Sequence, residues 1–326
     1  MLPVHTTPWA AAWQAALYGP TGFYRQDRGP AGHFATSTQG GPLMGSVLAA
    51  ALVRLMGERG LHTLVDVGCG RGELLTEISR LAPALRCVGV DVVARPDLPA
   101  GVEWVRSPGG AILPPELSDL TGTLLLAHEW LDVVPCPVGQ VDGRGVLREV
   151  LVDPMTGQER LAGAVDGSDL EWCRTWWPTV VGPGARPGDR VEVGRTRDEA
   201  WGALVSRLRS GLAVAVDYGH TRADRPAAGT LTGYRGGRQV APVPDGSCDL
   251  TAHVAMDSLG ADELVDQRTA LRRLGVSGAT PPRELATSDP TAYLAALSTA
   301  SAATALTARG SLGDFSWALT DVRPLR

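Results

Sequence analysis

The sequence contains no lysine, so all thirty of its basic residues are arginine. Isoleucine occurs only at Ile78 and Ile112, while alanine, glycine and proline are abundant. This bias is typical of a GC-rich genome, and we draw no function from it. The net charge of −5 lacks the basic excess that nucleic-acid binding requires, so we expect no nucleic-acid partner. With 326 residues, 44% of them hydrophobic, the chain is long enough to bury a large core.

Paired cysteines and long apolar runs are also absent. The five cysteines are an odd number without C-x-x-C spacing, so the sequence indicates neither a disulfide framework nor a zinc site, and we predict no metal. The most apolar predicted helix, near 47–55, contains Arg54 and is too short to cross a bilayer. The N-terminus lacks the basic and apolar regions of a secretory signal. We therefore expect a cytoplasmic protein without membrane insertion.

The most informative segment is residues 63–73, which read Thr-Leu-Val-Asp-Val-Gly-Cys-Gly-Arg-Gly-Glu. The apolar residues before the first glycine predict a short, buried parallel strand. Gly68, Gly70 and Gly72 then predict a tight turn into a helix, because glycine adopts positive φ and lets a ligand approach the backbone. The helix N-terminus adds free N–H groups and a partial positive charge. The segment therefore predicts a ligand-binding loop.

Carboxylates near this loop indicate which ligand it binds. A dinucleotide fingerprint would have its third glycine where Glu73 stands. Asp66 lies inside the predicted strand, where a buried carboxylate needs a partner; it would repel a pyrophosphate and attract an ammonium group. Asp91 ends the next predicted strand, where a ribose diol needs an acceptor. An amine beside one acid and a ribose beside the other describe S-adenosylmethionine (SAM). An NAD or FAD site, or a plain strand–turn–helix, are the alternatives.

The alternation of strands and helices predicts an α/β fold with a Rossmann-like, doubly wound, mostly parallel sheet. We expect an N-terminal helical and loop extension over 1–60 and the first half of the SAM-binding core over 61–137. An inserted antiparallel lobe, which would contribute to substrate binding, is expected over 138–195. The second half of the core, with C-terminal helices and a final strand, should occupy 196–326.

Three local predictions bear on the site and its surroundings. Pro42, at a first turn, predicts a helix that runs through Met56. Apolar spacing predicts another helix near 261–274. Asp249 or Thr251 is predicted to be the N-cap residue that opens a turn.

The segment that follows the fourth predicted strand carries the strongest catalytic candidates. It reads His128-Glu129-Trp130-Leu131-Asp132, and ligands of doubly wound sheets bind at the carboxyl ends of strands. Glu129 and Asp132 are three residues apart, so one helical turn would place them on the same side. Two carboxylates can bind a guanidinium through its fork of donors. We therefore predict that Glu129 and Asp132 position the methyl acceptor. The alternative is a capping role for Asp132 and a solvated Glu129.

Other candidates are weaker. Ser107 follows the third strand and is a candidate for the adenine pocket. His220, after the fifth strand, could accept a proton or be an exposed turn residue, whereas His253 is expected to be structural. The tryptophans around Trp176 are expected to form the core of the lobe rather than a binding cage.

The D-x-G-x-G-x-G pattern with its distal Asp91 resembles motif I of class I methyltransferases. Almost the whole chain, from Tyr18 to the final strand, resembles the MidA family of SAM-dependent methyltransferases. The blocks that carry this resemblance are Gly22-Phe23-Tyr24, Gly32-His33-Phe34-Ala35-Thr36, His128-Glu129-Trp130-Leu131-Asp132-Val133-Val134-Pro135, Gly188-Asp189-Arg190-Val191-Glu192-Val193, Asp217-Tyr218-Gly219, Gly229-Thr230-Leu231 and Asp249-Leu250-Thr251-Ala252-His253-Val254.

The resemblance implies a class I methyltransferase fold with SAM as methyl donor. The mitochondrial members of the family are assembly factors for respiratory complex I, linked to arginine methylation of one of its subunits. By analogy, the partner of this chain would be a protein substrate and the reaction protein arginine methylation. His33, His128 and Cys69 differ from the acid, asparagine and proline usual in the family. These differences keep open a catalytically weak or inactive assembly factor, and a small-molecule amine methyltransferase is the third alternative.

Overall fold

The computed structural model describes residues 6–26 and 43–324. The block at 32–36 and the start of a helix at Pro42 therefore lie outside the described residues. The helix predicted to follow is present and begins at Met44. In the two described ranges, no helix combines the length and the apolar content needed to cross a bilayer.

The described residues form strands and helices in an α/β arrangement. The strands, in chain order, are β1 Thr7–Pro8, β2 Thr63–Val67, β3 Arg86–Asp91, β4 Val102–Arg106, β5 Thr123–His128, β6 Val138–Val141, β7 Leu147–Val152, β8 Glu159–Ala164, β9 Arg190–Glu192, β10 Gly211–Asp217, β11 Gly219–His220, β12 Thr232–Arg235, β13 Arg238–Val240, β14 Asp249–Thr251, β15 Val254–Ala255, β16 Glu263–Asp266 and β17 Ser316–Val322. The α-helices are α1 Trp9–Tyr18, α2 Met44–Arg59, α3 Glu73–Leu81, α4 Gly167–Trp176, α5 Arg195–Val205, α6 Gln267–Arg273, α7 Arg283–Ser288 and α8 Pro290–Leu306. Short 3₁₀ helices lie at Phe23–Arg25, Pro178–Val180, Met256–Ser258 and Leu312–Asp314.

The main sheet is mixed, with the order β16-β17-β10-β5-β2-β3-β4. Strands β10, β5, β2, β3 and β4 pair in parallel, and β17 runs antiparallel to both of its neighbours. The carboxyl ends of the five parallel strands therefore meet at one edge. This is the edge at which the sequence predicts the glycine loop and residues 128–132, here called the acidic segment.

Helices cover both faces of the main sheet. All five residues of β2 are buried, and their side chains alternate between the two faces. Leu64 packs in a core cluster with residues of α2, α3, α6 and α8, whereas Val65 and Val67 pack in a second cluster with residues of α5. Burial on both faces explains why the central strands are almost continuously apolar.

The helix predicted over 261–274 is wrong in its first half. Residues Glu263–Asp266 form β16, which pairs antiparallel with β17 at the edge of the sheet. Only then does α6 begin, with Asp266 as its N-cap residue: the Asp266 carboxylate accepts a hydrogen bond from the Thr269 N–H. Pairing with a strand about fifty residues later overrides the local helical spacing of the apolar residues.

A smaller antiparallel sheet lies beside the main one. Its order is β1-β7-β6-β9, and β8 also pairs with β7, from Arg148 to Val152. Strands β6, β7, β8 and β9 pair antiparallel within residues 138–195, where the sequence analysis expects antiparallel strands. Trp172 and Trp177 are buried in the cluster that joins α4 to this sheet, and Trp176 packs against it. The N-terminal extension contributes β1 to the same sheet; the domain boundaries stay predictions.

Candidate functional site

A deep cleft opens at the carboxyl edge of the main sheet. Its wall is formed by the loops after β2, β3, β4 and β5, together with Tyr18 and Tyr24 from the N-terminal segment. Seven of the eight residues that the sequence analysis predicts as the site line it, namely Asp66, Gly68, Gly70, Asp91, Ser107, Glu129 and Asp132. The eighth, Gly72, does not line the cleft but ends the same glycine loop. The structure therefore gathers these predicted positions at one site.

The glycine loop after β2 has the geometry that its sequence predicts. Gly68, Gly70 and Gly72 have φ values of 74°, 61° and 77°, in the left-handed region where glycine carries no penalty. Gly72 is the residue that precedes α3. A Cβ at Gly68 would lie 3.0 Å from Trp130 Cδ1, and one at Gly72 would lie 2.8 Å from a Leu98 methyl group. Positive φ favours glycine at all three positions, and close packing adds to this at Gly68 and Gly72.

Asp66 is a buried carboxylate at the end of β2, with an exposed fraction of only 3%. Burial raises the pKa of Asp66 to about 8, and the nearby carboxylates of Asp91 and Glu73 add to the shift. A cation placed beside Asp66 would relieve both effects. The α-ammonium group of an amino-acid ligand fits this position, whereas a phosphate would meet three acids.

Asp91, the last residue of β3, links this strand to the glycine loop. Its Oδ2 accepts a hydrogen bond from the Gly70 N–H at 2.8 Å, and its Oδ1 accepts one from the Val93 N–H at 3.2 Å. Burial raises the pKa of Asp91 to about 6, while these backbone hydrogen bonds oppose the shift. Each carboxylate oxygen keeps a further lone pair, so Asp91 can also accept hydrogen bonds from a diol.

Ser107 lies just after β4 on the same side of the cleft. Its N–H donates to the Asp91 carbonyl at 2.8 Å, and its Oγ accepts a hydrogen bond from the Gly109 N–H at 3.1 Å. The first of these hydrogen bonds fixes Ser107 beside Asp91 at the end of β3. Its predicted place beside a nucleoside ligand is therefore geometrically consistent, and its contact with adenine stays a prediction.

The acidic segment does not form the helical turn that the sequence analysis expects. Glu129 has a φ of 53°, which is unusual for a residue other than glycine. Its N–H still donates to the Val216 carbonyl of β10 at 2.8 Å, so the chain leaves the sheet directly after Glu129. Glu129 and Asp132 nevertheless both line the cleft. Backbone strain at the end of a strand, rather than helical spacing, brings the two carboxylates to the same side.

Asp132 is almost fully buried at the base of the cleft. Its Oδ2 accepts hydrogen bonds from the hydroxyl groups of Tyr218 and Thr251, the latter at 2.6 Å. Within the described residues its Oδ1 has no hydrogen-bond partner. Burial raises the pKa of Asp132, and the Glu129 carboxylate contributes to the increase. A buried oxygen without a donor is costly, and a bound cation would supply one.

His128 also faces the cleft, as a neutral imidazole. Burial lowers its pKa to about 4, although Asp132 opposes the shift. Its Nδ1 lies 3.7 Å from Glu129 Oε1, too far for a direct hydrogen bond. Near neutral pH the ring therefore adds no positive charge between the two acids.

The sequence analysis missed Asp249 and the tyrosines that approach it. Asp249 is expected there to be a helix cap, yet it begins β14, is buried and lines the cleft. Its Oδ1 accepts a hydrogen bond from the Tyr24 hydroxyl at 2.7 Å. Thr251, the other predicted cap, binds Asp132 instead. Tyr24, Asp249 and Thr251 all stand in blocks that carry the family resemblance, and this was a sign of a role in the site. No local sequence pattern, however, predicts that β14 returns to this edge of the sheet.

His220 is buried away from the residues that line the cleft. Its Nδ1 lies 2.6 Å from a guanidinium nitrogen of Arg225, and its ring packs edge-on against Trp177 with the centroids 4.7 Å apart. Burial lowers the pKa of His220 to about 3, and the positive charge of Arg225 lowers it further. The structure thus gives no support to the catalytic alternative for this residue.

Comparison with known proteins adds the identity of the ligand. Residues 79–276, more than half of the chain, match the profile of a family described as S-adenosyl-L-methionine-dependent methyltransferases. The chain belongs to this family. It is therefore a SAM-dependent methyltransferase, and SAM is its cofactor. No curated protein matches the sequence significantly.

Two solved structures resemble the methyltransferase over nearly its full length. One, from Burkholderia thailandensis and bound to S-adenosyl-homocysteine, is 22% identical with a TM-score of 0.73, over 97% of this chain and 88% of that one. A native structure from the same organism is 24% identical with a TM-score of 0.72, over 97% and 87% of the two chains. At these identities the likeness shows the α/β fold with its mixed sheet.

Proposed function

We propose that this methyltransferase modifies the side chain of a protein arginine. The observation that carries the proposal is the pair of acids, Glu129 and Asp132, that line the same cleft as the glycine loop. Asp132 is buried with one oxygen unpartnered among the described residues. A guanidinium supplies up to five N–H donors in a planar fork and would satisfy two carboxylates together.

We assign the cofactor-binding roles from the charge and the hydrogen-bonding groups of the residues that line the cleft. Asp66 would bind the α-ammonium group of SAM, directly or through water, and Asp91 would accept hydrogen bonds from the ribose. Gly68, Gly70 and Gly72 would let the backbone approach the ligand, while Ser107 would border the adenine. The SAM-family membership and the charge of Asp66 support this arrangement. When bound, SAM supplies an electrophilic methyl group on a positively charged sulfur.

The residues at the other end of the cleft would orient one guanidinium nitrogen toward that methyl group. Transfer forms an N–C bond as the S–C bond breaks, and the methylated nitrogen then gives up one proton. A guanidinium has a pKa above about 12, so proton loss has to occur late or with assistance. Glu129, on the cleft wall, is suited to receive the proton and pass it to solvent. The site would thus act mainly through orientation.

The subfamily of this methyltransferase and its protein partner are also proposals. We infer that the chain is a MidA-like enzyme with a class I methyltransferase fold and a protein partner, which by analogy would be a subunit of respiratory complex I. The strand order, with one antiparallel strand beside five parallel ones, supports the fold assignment. A small cationic amine is a second candidate acceptor, because Asp132 and Asp249 are buried rather than displayed on an open surface.

Labelling of a native cell extract with tritiated SAM tests the proposal. The wild-type protein should transfer label to a protein band that yields methylarginine on hydrolysis. Glu129→Gln should reduce the labelling at least about tenfold and leave the affinity for S-adenosyl-homocysteine unchanged, because Glu129 acts on the acceptor. Glu116→Gln, an exposed carboxylate on the preceding loop, is the matched control.

The outcomes separate the candidates. Label in a small molecule instead of a protein would favour the amine alternative. Label on residues other than arginine would refute the proposed acceptor. Loss of cofactor affinity in Glu129→Gln would show that Glu129 belongs to the SAM half of the cleft.

A further inference from the structure

We propose that Asp249 is a specificity residue for the acceptor: its carboxylate and that of Asp132 hold the acceptor's positive charge between them, beside Tyr18 and Tyr24. The inference rests on the proposed function, since it identifies what selects a cationic acceptor at the same site. It also assigns a binding role to a strand, β14, that lies 117 residues beyond Asp132 along the chain.

The position of Asp249 is built into the fold. Strand β14 pairs antiparallel with β12, and this pairing holds Asp249 opposite Tyr234. Only 2% of Asp249 is exposed, although it lines the cleft. The Tyr24 hydroxyl donates a hydrogen bond to its Oδ1 at 2.7 Å, which fixes the orientation of the carboxylate. A preorganised carboxylate loses little entropy when a ligand binds.

Asp132 provides a second observation that supports the inference. Its Oδ2 already accepts two hydroxyl hydrogen bonds, whereas its Oδ1 is buried and has no partner within the described residues. Arg197 is the nearby cation, but its guanidinium donates to the backbone carbonyls of Asp132 and Val134 rather than to the carboxylate. Asp132 Oδ1 is therefore available to accept a hydrogen bond from a donor group of a bound acceptor.

The charges favour a cation as that donor. Burial raises the pKa of Asp249 well above its ordinary value, and the negative charge of Asp132 is the next largest cause of increase. The two acids therefore destabilise each other in their ionised forms. A cation bound between them would turn this repulsion into two charge-assisted hydrogen bonds, whereas a neutral acceptor would leave it in place.

The aromatic walls fit a planar cation. The rings of Tyr18 and Tyr24 lie with their centroids 5.4 Å apart and both line the cleft. Aromatic faces stabilise guanidinium groups that stack on them. Carboxylates and aromatic rings that line the same cleft would together select for both charge and shape.

Calorimetric titration of the protein saturated with S-adenosyl-homocysteine tests the inference. The two probes are N-acetyl-L-arginine amide and N-acetyl-L-citrulline amide, which have nearly the same shape and differ in charge. Wild-type protein should bind the arginine compound at least tenfold more tightly. Asp249→Asn should reduce this preference about tenfold, and Asp132→Asn should do the same independently. Asp245→Asn, which alters an exposed carboxylate just before β14, should leave the preference unchanged.

Equal binding of both probes by the wild-type protein, or an unchanged preference in Asp249→Asn, would overturn the inference. Loss of S-adenosyl-homocysteine binding in Asp249→Asn would assign Asp249 a structural role and would overturn it as well. These outcomes are distinct from the labelling result. A wild-type preference for the arginine probe that depends on Asp249 would survive even if the physiological acceptor proved to be another cationic amine.

Discussion

Asp66 couples the stability of the cofactor-free protein to pH. Burial raises its pKa from the ordinary aspartate value of 3.8 to about 8, so the folded protein binds a proton there that the unfolded chain has released. The stability that the folded protein gains from this bound proton is complete below about pH 4 and disappears as the pH rises through about 8. Other buried acids shift the same way, so only a comparison with a variant isolates Asp66.

We predict that Asp66→Asn flattens this dependence. Between pH 5 and pH 8 the wild-type protein should lose stability relative to the variant by at most about 1.4 kcal/mol per pH unit. Urea unfolding of both proteins without cofactor, at several pH values, measures the difference. Parallel stability curves for the two proteins would mean that Asp66 is already ionised in the free protein.

Helix α5 anchors two cleft-forming segments through one buried side chain. Arg197 is only 1% exposed. Its guanidinium donates to the carbonyls of Asp132 at 2.7 Å, Val134 at 3.0 Å, His253 at 3.0 Å and Ala252 at 3.1 Å. Asp132 and Val134 lie in the stretch that follows β5, whereas Ala252 and His253 follow β14. Arg197 therefore fixes the distance between the segments that carry Asp132 and Asp249.

We predict that Arg197→Lys destabilises the protein by about 3 kcal/mol or more, because a single ammonium group cannot reach all four buried carbonyls. Arg195→Lys is the matched control on the same helix. Arg195 forms partly exposed ion pairs with Asp169 and Glu199, which contribute at most about 1 kcal/mol. Denaturant unfolding gives both values, and similar losses in the two variants would contradict this role for Arg197.

Local sequence signals predict the elements whose structure is decided locally. The strand that ends at Val67, the glycine turn and α3 all follow from residues 63–81, because apolar burial and positive φ act within that segment. Strand β16 could not be predicted in this way. Leu264 and Val265 pair with Ala318 and Trp317, so a distant strand decides their conformation.

The same reasoning explains which part of the site the sequence reveals. Asp66 and Asp91 flank a recognisable loop, and parallel strands bring their carboxyl ends together by rule. Asp249 has no such marker. Its place in the cleft depends on contacts such as the hydrogen bond from Trp13 Nε1 to the Leu250 carbonyl at 3.0 Å, which joins residues more than 200 positions apart.

At the scale of the whole molecule, the cleft is a junction of segments from across the chain. The N-terminal segment reaches it through Tyr18, whose hydroxyl donates to the Val133 carbonyl at 3.1 Å, and through Tyr24. Buried residues of α1, the small sheet and β14 share one core cluster. A ligand in the cleft therefore contacts segments that unfold together, so its binding energy should appear in global stability.

This linkage gives a quantitative test of the role of Asp91. S-adenosyl-homocysteine at 100 times its dissociation constant should stabilise the wild-type protein by about 2.7 kcal/mol. We predict that Asp91→Asn weakens binding about tenfold, because an amide donates where the ribose also donates; at the same ligand concentration the stabilisation then falls to about 1.4 kcal/mol. Asp97→Asn, an exposed carboxylate six residues later, should retain the full effect. Thermal unfolding at graded ligand concentrations measures all three proteins. If Asp91→Asn kept the wild-type response, the ribose would have to lie elsewhere in the cleft.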